Sequence, residues 1–420
     1  MDVKRRRQLA KLWLDIRTGF WLRPLLLLVT GMLAGFGVAA LDRWLVARDA
    51  TGWLPGGSPG GVRALLQVGA GALATTLAIS LSLTMVTVQL ASSQFTPRLM
   101  RRFLSDAFTQ IVIGVFLATI AYTFLVLRAV RSPEEGDPFV PRLAITLAAV
   151  MTLACFGLLV VFLHRTMRGL MPATVIAAVG ADTRRALHEA DVRDLRPAPE
   201  QPATGPRAVV AAGTPGYVQL VDDVRVRAAL ARVPGVTLVW RDAGPGSFAI
   251  PGQPLVTVHG VERLDDEVVR EVQASFALGS QRTEQTDVGF GVRQLVDMAL
   301  RALSPGINDV TTAVMVVNEL GVLARELAEH GVATGPWRVA ADRDGPPYVV
   351  RVLDLDTFLG LAFGEILASA RAQPRIGQRV LDVLGVVALG AAADIREVLA
   401  GHEMASRAAL VAAALTPTAR

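Results

Sequence analysis

Hydroxyl and amide side chains recur along the longest uncharged run of this sequence, the 34 residues between Arg63 and Arg98. On a helix turning 100° per residue, these side chains fall into two opposed stripes. The first stripe consists of Thr76, Ser80, Thr84, Thr87 and Gln94, and the second of Thr75, Ser82, Gln89 and Ser93. Hydrogen-bonding side chains without fixed charge suit the wall of a membrane pore, so the first stripe is a candidate pore lining. Helix packing is the alternative, because hydroxyl residues also support close helix contacts and bond back to their own helix.

A second group of polar residues lies between residues 279 and 313. Arg293, Asp297 and Arg301 are spaced i, i+4, i+8, which places them on one helix face as a salt-bridge ladder. The segment Ser304-Pro305-Gly306 ends that helix, and one of the two residues before Val310 is predicted to cap the next. The candidate ligand or subunit junction comprises Arg282, Arg293, Asp297, Arg301, Asn308 and Asp309. The alternative is a capped helix–turn–helix with an ion ladder on its surface.

The lysine, cysteine and histidine content excludes several chemistries. Lys4 and Lys11 are the two lysines, so the rest of the chain can hold neither a GxxxxGK[ST] phosphate-binding loop nor a lysine nucleophile. Cys155 is the single cysteine, which excludes an intrachain disulfide and a two-cysteine redox motif. The five histidines are widely separated and show no metal-ligand spacing. We therefore expect no catalytic residue, no metal, no cofactor and no enzyme activity.

Four long uncharged runs determine the architecture of the first 165 residues. Besides the 34-residue run, gaps of 18, 21 and 21 residues lie between Arg23 and Asp42, Asp106 and Arg128, and Arg142 and His164. Roughly 20 apolar helical residues cross a hydrocarbon core about 30 Å thick, and a helix satisfies its own backbone in lipid. The sequence therefore predicts four transmembrane helices, none of which carries a buried Asp, Glu, Lys or Arg.

Basic residues are densest before the first span, where seven lysines and arginines precede residue 24. Since positive charge favours the cytoplasmic side, the N-terminus is predicted to be cytoplasmic, and four crossings return the C-terminus to that side. The segment 97–106 becomes a basic inner loop. The prediction is a multi-pass protein of the bacterial inner (plasma) membrane, with the lipid bilayer as a partner.

The C-terminal half differs from the N-terminal half in net charge and in its predicted secondary structure. Residues 167–420 carry a net charge of −4, against +9 for residues 1–166, so no basic surface favours nucleic acid and none is expected as a partner. A Pro-, Ala- and Arg-rich linker is predicted at 191–213, and strands at 216–222, 236–241 and 255–260. These strands resemble half of a biotinyl/lipoyl-type barrel-sandwich that lacks the carrier lysine, and a small irregular β-unit is the alternative. A hairpin at 337–353 and further helices complete an α+β domain.

Three stretches of the chain resemble an uncharacterised bacterial membrane-protein family, domain of unknown function 2254. They are RTEQTDVGFGVRQLVDMALRALSPGIND within 280–309, SLSLTMVTVQLASSQFTPRLMRRFLSD at 80–106 and GYVQLVD at 216–222. The resemblance covers about residues 15–400. Family members often continue the capped turn as Asn-Asp-Pro-Phe, where this chain has Val310 and Thr311 after Asp309, and we expect the turn to persist. The resemblance implies a four-span inner-membrane protein and implies no activity, substrate or catalytic residue.

The predicted fold class is a membrane α-helical protein with four transmembrane helices and a cytoplasmic α+β domain containing a small β-unit. The predicted parts are a basic N-terminus at 1–23, a transmembrane domain at 24–166, a juxtamembrane helix and linker at 167–213, a β-rich unit at 214–262 and a mainly helical domain at 263–420. Two functions are kept open. One is a homo-oligomeric channel lined by the second span and regulated by its cytoplasmic domain. The other is a membrane-anchored sensor or scaffold whose cytoplasmic domain binds an unidentified ligand or partner.

Overall fold

The computed structural model divides the chain into two compact units, Met1–Met171 and Pro172–Arg420. It describes residues 21–46, 48, 56–94, 107–132, 134, 139–169, 171–189, 196–198, 205–283, 286–329, 335, 337–340, 345–370 and 373–415. The predictions for the basic N-terminus before residue 21 and for the inner loop at 97–106 lie outside the described residues.

The first unit contains four long apolar helices: α1 (Leu22–Val46), α2 (Pro59–Gln94), α3 (Ala107–Ala129) and α4 (Arg142–Gly169). Each is long and apolar enough to cross a membrane, α2 over its first 28 residues. The prediction of four candidate spans is therefore confirmed. The four helices consist of apolar residues with almost no charged residue among them. Pro59 occupies the first position of α2, where the first N–H of a helix has no partner within the helix, so the missing N–H of proline has no consequence.

Helix α3 lies at the centre of the first unit. More than half of its apolar window is buried, against about a fifth for each of the other three helices. Tyr122 and Phe116 are fully buried on it, and Gly31 of α1 lies so close to Ala118 that an added Cβ would meet the Ala118 Cα at 2.7 Å. Small residues at this crossing allow the two backbones to approach, as is common between membrane helices.

The second unit combines a mixed sheet, a small antiparallel sheet and a helical layer. Its strands are β1 (Arg196–Pro197), β2 (Arg207–Ala211), β3 (Gly216–Val221), β4 (Leu238–Arg241), β5 (Phe248–Ala249), β6 (Pro254–His259), β7 (Phe276–Gly279), β8 (Trp337–Ala340) and β9 (Tyr348–Arg351). The six-stranded sheet has the order β1-β8-β9-β4-β6-β2, and the three-stranded sheet the order β5-β3-β7. All pairs are antiparallel except β4 with β9.

Eight helices accompany these strands in the described part of the second unit. They are α5 (Pro172–Glu189), α6 (Asp223–Ala231), α7 (Asp266–Ala274), α8 (Val288–Ala302), α9 (Val310–Glu329), α10 (Leu355–Ser369), α11 (Pro374–Ala388) and α12 (Ala393–Leu415). Helices α6 and α7 cover one face of the larger sheet, where Leu230 and Val272 pack against Val210, Val239 and Val258. Helices α5, α8, α9 and α10 pack on one another. Apolar residues of these helices, such as Leu295 and Leu320, are fully buried.

Two parts of the organisation differ from the sequence-based prediction. Residues 207–211, assigned to a linker, form β2, because Ala208 and Val210 alternate with exposed neighbours and pair with β6. Short alternation within a Pro- and Ala-rich stretch concealed this strand. The β-unit predicted at 214–262 also extends further, since β4 pairs with β9 and β3 pairs with β7. Half a barrel-sandwich built from 214–262 alone would pair its strands without β7 and β9, which lie outside that range.

Candidate functional site

The candidate pore-lining stripe on α2 faces the interior of its own helical unit. Ser80 is 7% exposed, and its hydroxyl donates to the Thr76 carbonyl oxygen at 2.8 Å. The Thr84 hydroxyl donates in the same way to the Ser80 carbonyl oxygen at 2.8 Å. A hydroxyl that donates to a carbonyl oxygen of its own helix makes its hydrogen bond without water or a partner helix. The side chains of Thr87 and Gln94 lie outside the described part of α2.

The opposite face of α2 is exposed and carries small or polar residues. Its members are three, four or seven positions apart and therefore share one helix face. They are Ala64, Gln67, Gly71, Thr75, Ala78, Ser82, Met85 and Gln89, all exposed, and Met85 is the one large apolar side chain among them. Thr75, Ser82 and Gln89 belong to the second stripe of the sequence analysis. We call this set the small-residue face of α2.

The neighbouring exposed face of α2 has a different composition. Leu65, Val68 and Ile79 are 58%, 71% and 63% exposed, as expected of side chains that meet lipid tails. The exposed side of α2 is therefore divided lengthwise into an aliphatic band and the small-residue face. The division marks where α2 is suited to lipid and where it is suited to another surface.

Asp42, the residue that ends the first uncharged run of the sequence, is a buried acidic residue. The structure extends α1 through Asp42 to Val46 and leaves Asp42 fully buried, so the prediction that no span carries a buried acidic residue was wrong. Its Oδ2 accepts from the Ala144 amide at 3.0 Å, and the Tyr122 hydroxyl donates to the Ala144 carbonyl oxygen at 3.1 Å. The carboxylate therefore caps the start of α4, whose first amides have no partner within the helix. Spacing along α1 gives no sign of a partner 102 residues away.

Arg282, the first residue of the predicted junction, pairs with a residue that sequence reasoning missed. Its Nε and Nη2 donate to Asp287 at 2.7 and 3.0 Å, and its guanidinium lies 5.2 Å from the centre of the Phe290 ring. The Asp287 carboxylate also accepts from the Phe290 amide at 2.9 Å and so caps α8. An acidic residue three positions before a helical amide is a capping signal that could have identified it.

Arg293 and Asp297 form the predicted ladder contact, with the Arg293 Nε donating to Asp297 at 2.7 Å. Arg293 also bonds Glu365 of α10. That bond raises the pKa of Arg293 and lowers the pKa of the Glu365 carboxyl. Arg301 lies exposed in the last turn of α8. The ion pair therefore ties two helices together, and about half of the Glu365 side chain remains in solvent.

Asn308 and Asp309 form the turn between α8 and α9, as predicted. Asn308 has a φ of 49°, a left-handed conformation that asparagine tolerates better than most residues. Asp309 caps α9 by accepting from the Thr312 amide at 3.0 Å, and the Thr312 hydroxyl and amide lower the pKa of Asp309. The Asn308 side-chain oxygen accepts from Gln373 at 3.1 Å. The expected turn therefore persists without the Pro-Phe continuation.

The predicted junction residues are distributed along α8 rather than gathered in one pocket. Arg282 contacts Asp287 just before the first turn of α8, and Arg293 lies in the middle of that helix. Asp309 follows the end of α8, and its amide donates to the Ala302 carbonyl oxygen at 2.7 Å. A helix of 15 residues is about 22 Å long. Within the described ranges, no group of three or more His, Cys, Asp or Glu residues is placed to hold a metal ion.

Four candidate membrane spans followed by a mixed α+β unit define a polytopic helical membrane protein. The chain matches the family described as "Predicted membrane protein (DUF2254)" over residues 17–385, and it belongs to that family. Uncharacterised proteins of Mycobacterium bovis and Mycobacterium tuberculosis are 32% identical to it over 353 residues. The alignment covers 79% of this chain and 64% of each relative, so the chain matches less than two thirds of their length. No solved structure matches the chain.

Proposed function

We propose that the protein is a homo-oligomeric channel of the bacterial inner membrane, in which the small-residue face of α2 lines the pore. The observation that carries this proposal is the lengthwise division of the exposed side of α2 into an aliphatic band and a band of Gly, Ala, Ser, Thr and Gln in which Met85 is the one large apolar residue. If lipid surrounded the whole exposed side of α2, aliphatic residues would be expected over that whole side instead of a second band of small and polar residues.

Energetic arguments favour a polar or protein environment for this band. Gln67 is exposed within the candidate span, and an amide in hydrocarbon without hydrogen-bond partners costs several kcal/mol. Gly71, Ala78 and Ser82 allow a second helix to approach closely, which is how membrane helices associate. In a ring of protomers, one edge of the band contacts the neighbouring α2 and its centre faces the axis.

The orientation belongs to the same proposal. The basic N-terminal residues favour a cytoplasmic N-terminus, and with four crossings the proposed side of the second unit is the cytoplasm as well. There it would regulate opening. The second unit is mildly acidic, which favours a regulatory role through small ligands or through other copies of the chain over binding to nucleic acid.

Single-channel recording in planar bilayers tests the proposal. The purified protein should give discrete currents, and the double variant Thr75→Leu/Ser82→Leu should abolish them, since two large apolar side chains close a narrow polar lining. Ala72→Leu/Val86→Leu is the matched control, because it places two leucines on the aliphatic band of the same helix. It should conduct like the unmodified protein.

The oligomeric state of each variant, measured by native mass spectrometry, separates the two functions kept open. A folded oligomer that is silent at both voltage signs and in several salts contradicts the channel. If the small-residue face still holds that oligomer together, the spans serve as an anchor and the second unit is the functional part. A monomeric unmodified protein contradicts both the pore and the proposed contact.

A further inference from the structure

We propose that Met85 forms the gate of the channel, as a ring of apolar side chains that closes the pore at the end of the membrane-spanning part of α2. This inference rests on the proposed channel and adds to it the residue that holds the pore shut. The observations behind it are the position of Met85 on the small-residue face of α2 and its apolar character there.

Met85 belongs to the small-residue face and not to the aliphatic band beside it. It follows Gln67 by about five turns of a helix with 3.6 residues per turn, so the two side chains lie on one line along α2. The small-residue face covers an arc of about 80°, so each of its residues lies within about 40° of the centre of that arc. The Met85 side chain is 70% exposed in the protomer. In the proposed ring of protomers, it therefore projects towards the pore.

Met85 differs in polarity from the other two long side chains of the same face. Gln67 and Gln89 have nearly the length of a methionine, but their amides donate and accept hydrogen bonds and can therefore hold water in a pore. The thioether of Met85 is no donor and only a weak acceptor. A ring of such side chains gives the water between them no hydrogen-bond partners, and a hydrophobic constriction of this kind closes a pore by dewetting.

The place of Met85 along α2 also suits a gate. The candidate span of α2 ends at Val86, so Met85 lies in its last turn. In the proposed orientation this end of the span opens to the cytoplasm, and a signal from that side reaches the gate without crossing the membrane. Methionine is unbranched and has three rotatable bonds, so its side chain can block or clear a narrow pore by changing rotamer.

Single-channel recording of Met85→Gln in planar bilayers tests the gate. Glutamine keeps the length of the side chain and adds an amide that holds water, so we expect the fraction of time spent open to rise by about tenfold. Val86→Gln is the matched control, because it places the same amide at the same depth on the aliphatic band, where Val86 is 48% exposed. Its open fraction should equal that of the unmodified protein.

Chemical cross-linking tests whether the Met85 side chains of different protomers converge, without any measurement of current. Met85→Cys and Val86→Cys are each combined with Cys155→Ala, which removes the single native thiol. A short bismaleimide should link protomers that carry Met85→Cys, because their thiols meet around the pore. Protomers that carry Val86→Cys should be linked about tenfold less, since their thiols face lipid on the aliphatic band.

Native mass spectrometry shows whether each variant assembles like the unmodified protein. The gate is overturned, and the channel stands, if the unmodified protein conducts and Met85→Gln opens no more often than Val86→Gln. It is also overturned if Met85→Cys protomers of a conducting oligomer cross-link no more than Val86→Cys protomers, and this comparison decides if Met85→Gln does not assemble. Silence of the unmodified oligomer contradicts the channel itself, and the gate with it.

Discussion

Gly291 on α8 is predicted to be a helix position where a single added methyl group destabilises the second unit. A Cβ built at Gly291 would lie 2.9 Å from the Thr183 Cβ and 3.0 Å from its Cγ2, on the facing helix α5. Carbon atoms in ordinary contact are about 3.5–4.0 Å apart. Thr183 is 2% exposed, and its hydroxyl is bonded to the Val179 carbonyl oxygen at 2.8 Å, so it cannot turn away freely.

The expected cost follows from two opposing effects. Inserting a methyl group into a closely packed interior costs about 1–3 kcal/mol, and replacing a helical glycine by alanine stabilises by up to about 1 kcal/mol. We therefore expect Gly291→Ala to lower the free energy of unfolding by about 1–2 kcal/mol. In a unit of this size, that corresponds to a decrease in Tm of roughly 2–8 °C.

The assay is thermal and urea unfolding of the full-length protein in detergent, with Trp13, Trp21, Trp44 and Trp53 replaced by phenylalanine in every protein compared, so that the fluorescence comes from Trp240 and Trp337 in the second unit. Gly364→Ala is the control, because it lies inside α10 with no atom within 4 Å of an added Cβ. It should stabilise by about 0.5–1 kcal/mol. Thr183→Ala combined with Gly291→Ala should recover part of the loss. A Gly291→Ala protein as stable as Gly364→Ala would refute the close packing of α5 on α8.

Three further predictions concern carboxylates. Asp309→Ala should destabilise the second unit by about 1 kcal/mol, measured by urea unfolding, since the Thr312 amide loses its cap, whereas Asp309→Asn should cost less. Asp42→Ala should lower the Tm of the first unit by leaving the Ala144 amide buried and unpaired, while Asp42→Asn keeps an acceptor there, and equal Tm values would contradict the cap. Burial raises the pKa of Asp242, so its ionised form destabilises the fold at neutral pH and this cost disappears as pH falls through the raised pKa. Asp242→Asn should therefore raise the Tm at pH 7 and flatten its rise on acidification, and an unchanged pH profile would contradict this cause.

Local signals in the sequence predict much of the fold. Uncharged runs predict the four spans, because crossing a membrane requires a minimum apolar length that few other structures need. Alternation predicts β3, β4 and β6, and the Ser304-Pro305-Gly306 break predicts the turn before α9. These features depend on neighbours a few residues apart, so their patterns are visible in the sequence.

Features that depend on distant partners are not predictable in this way. Asp42 looks like a loop residue until the start of α4 is placed beside it, and Glu365 is 72 residues from Arg293. The orientation of α2 could not be predicted either, because both stripes consist of Thr, Ser and Gln, and only the positions of α3 and α4 decide which stripe is buried.

The parallel pairing of β4 with β9 has a consequence for biosynthesis. Strand β4 ends at Arg241 and its partner begins at Tyr348, about a hundred residues later, with α8 and α9 synthesised in between. At about 5–20 residues per second, the ribosome needs roughly 5–20 s to deliver the second strand. During that interval β4 has an open edge whose amides and carbonyls can pair with other nascent chains. Chaperone dependence and aggregation during overexpression should therefore be determined in this interval, before β9 reaches the sheet.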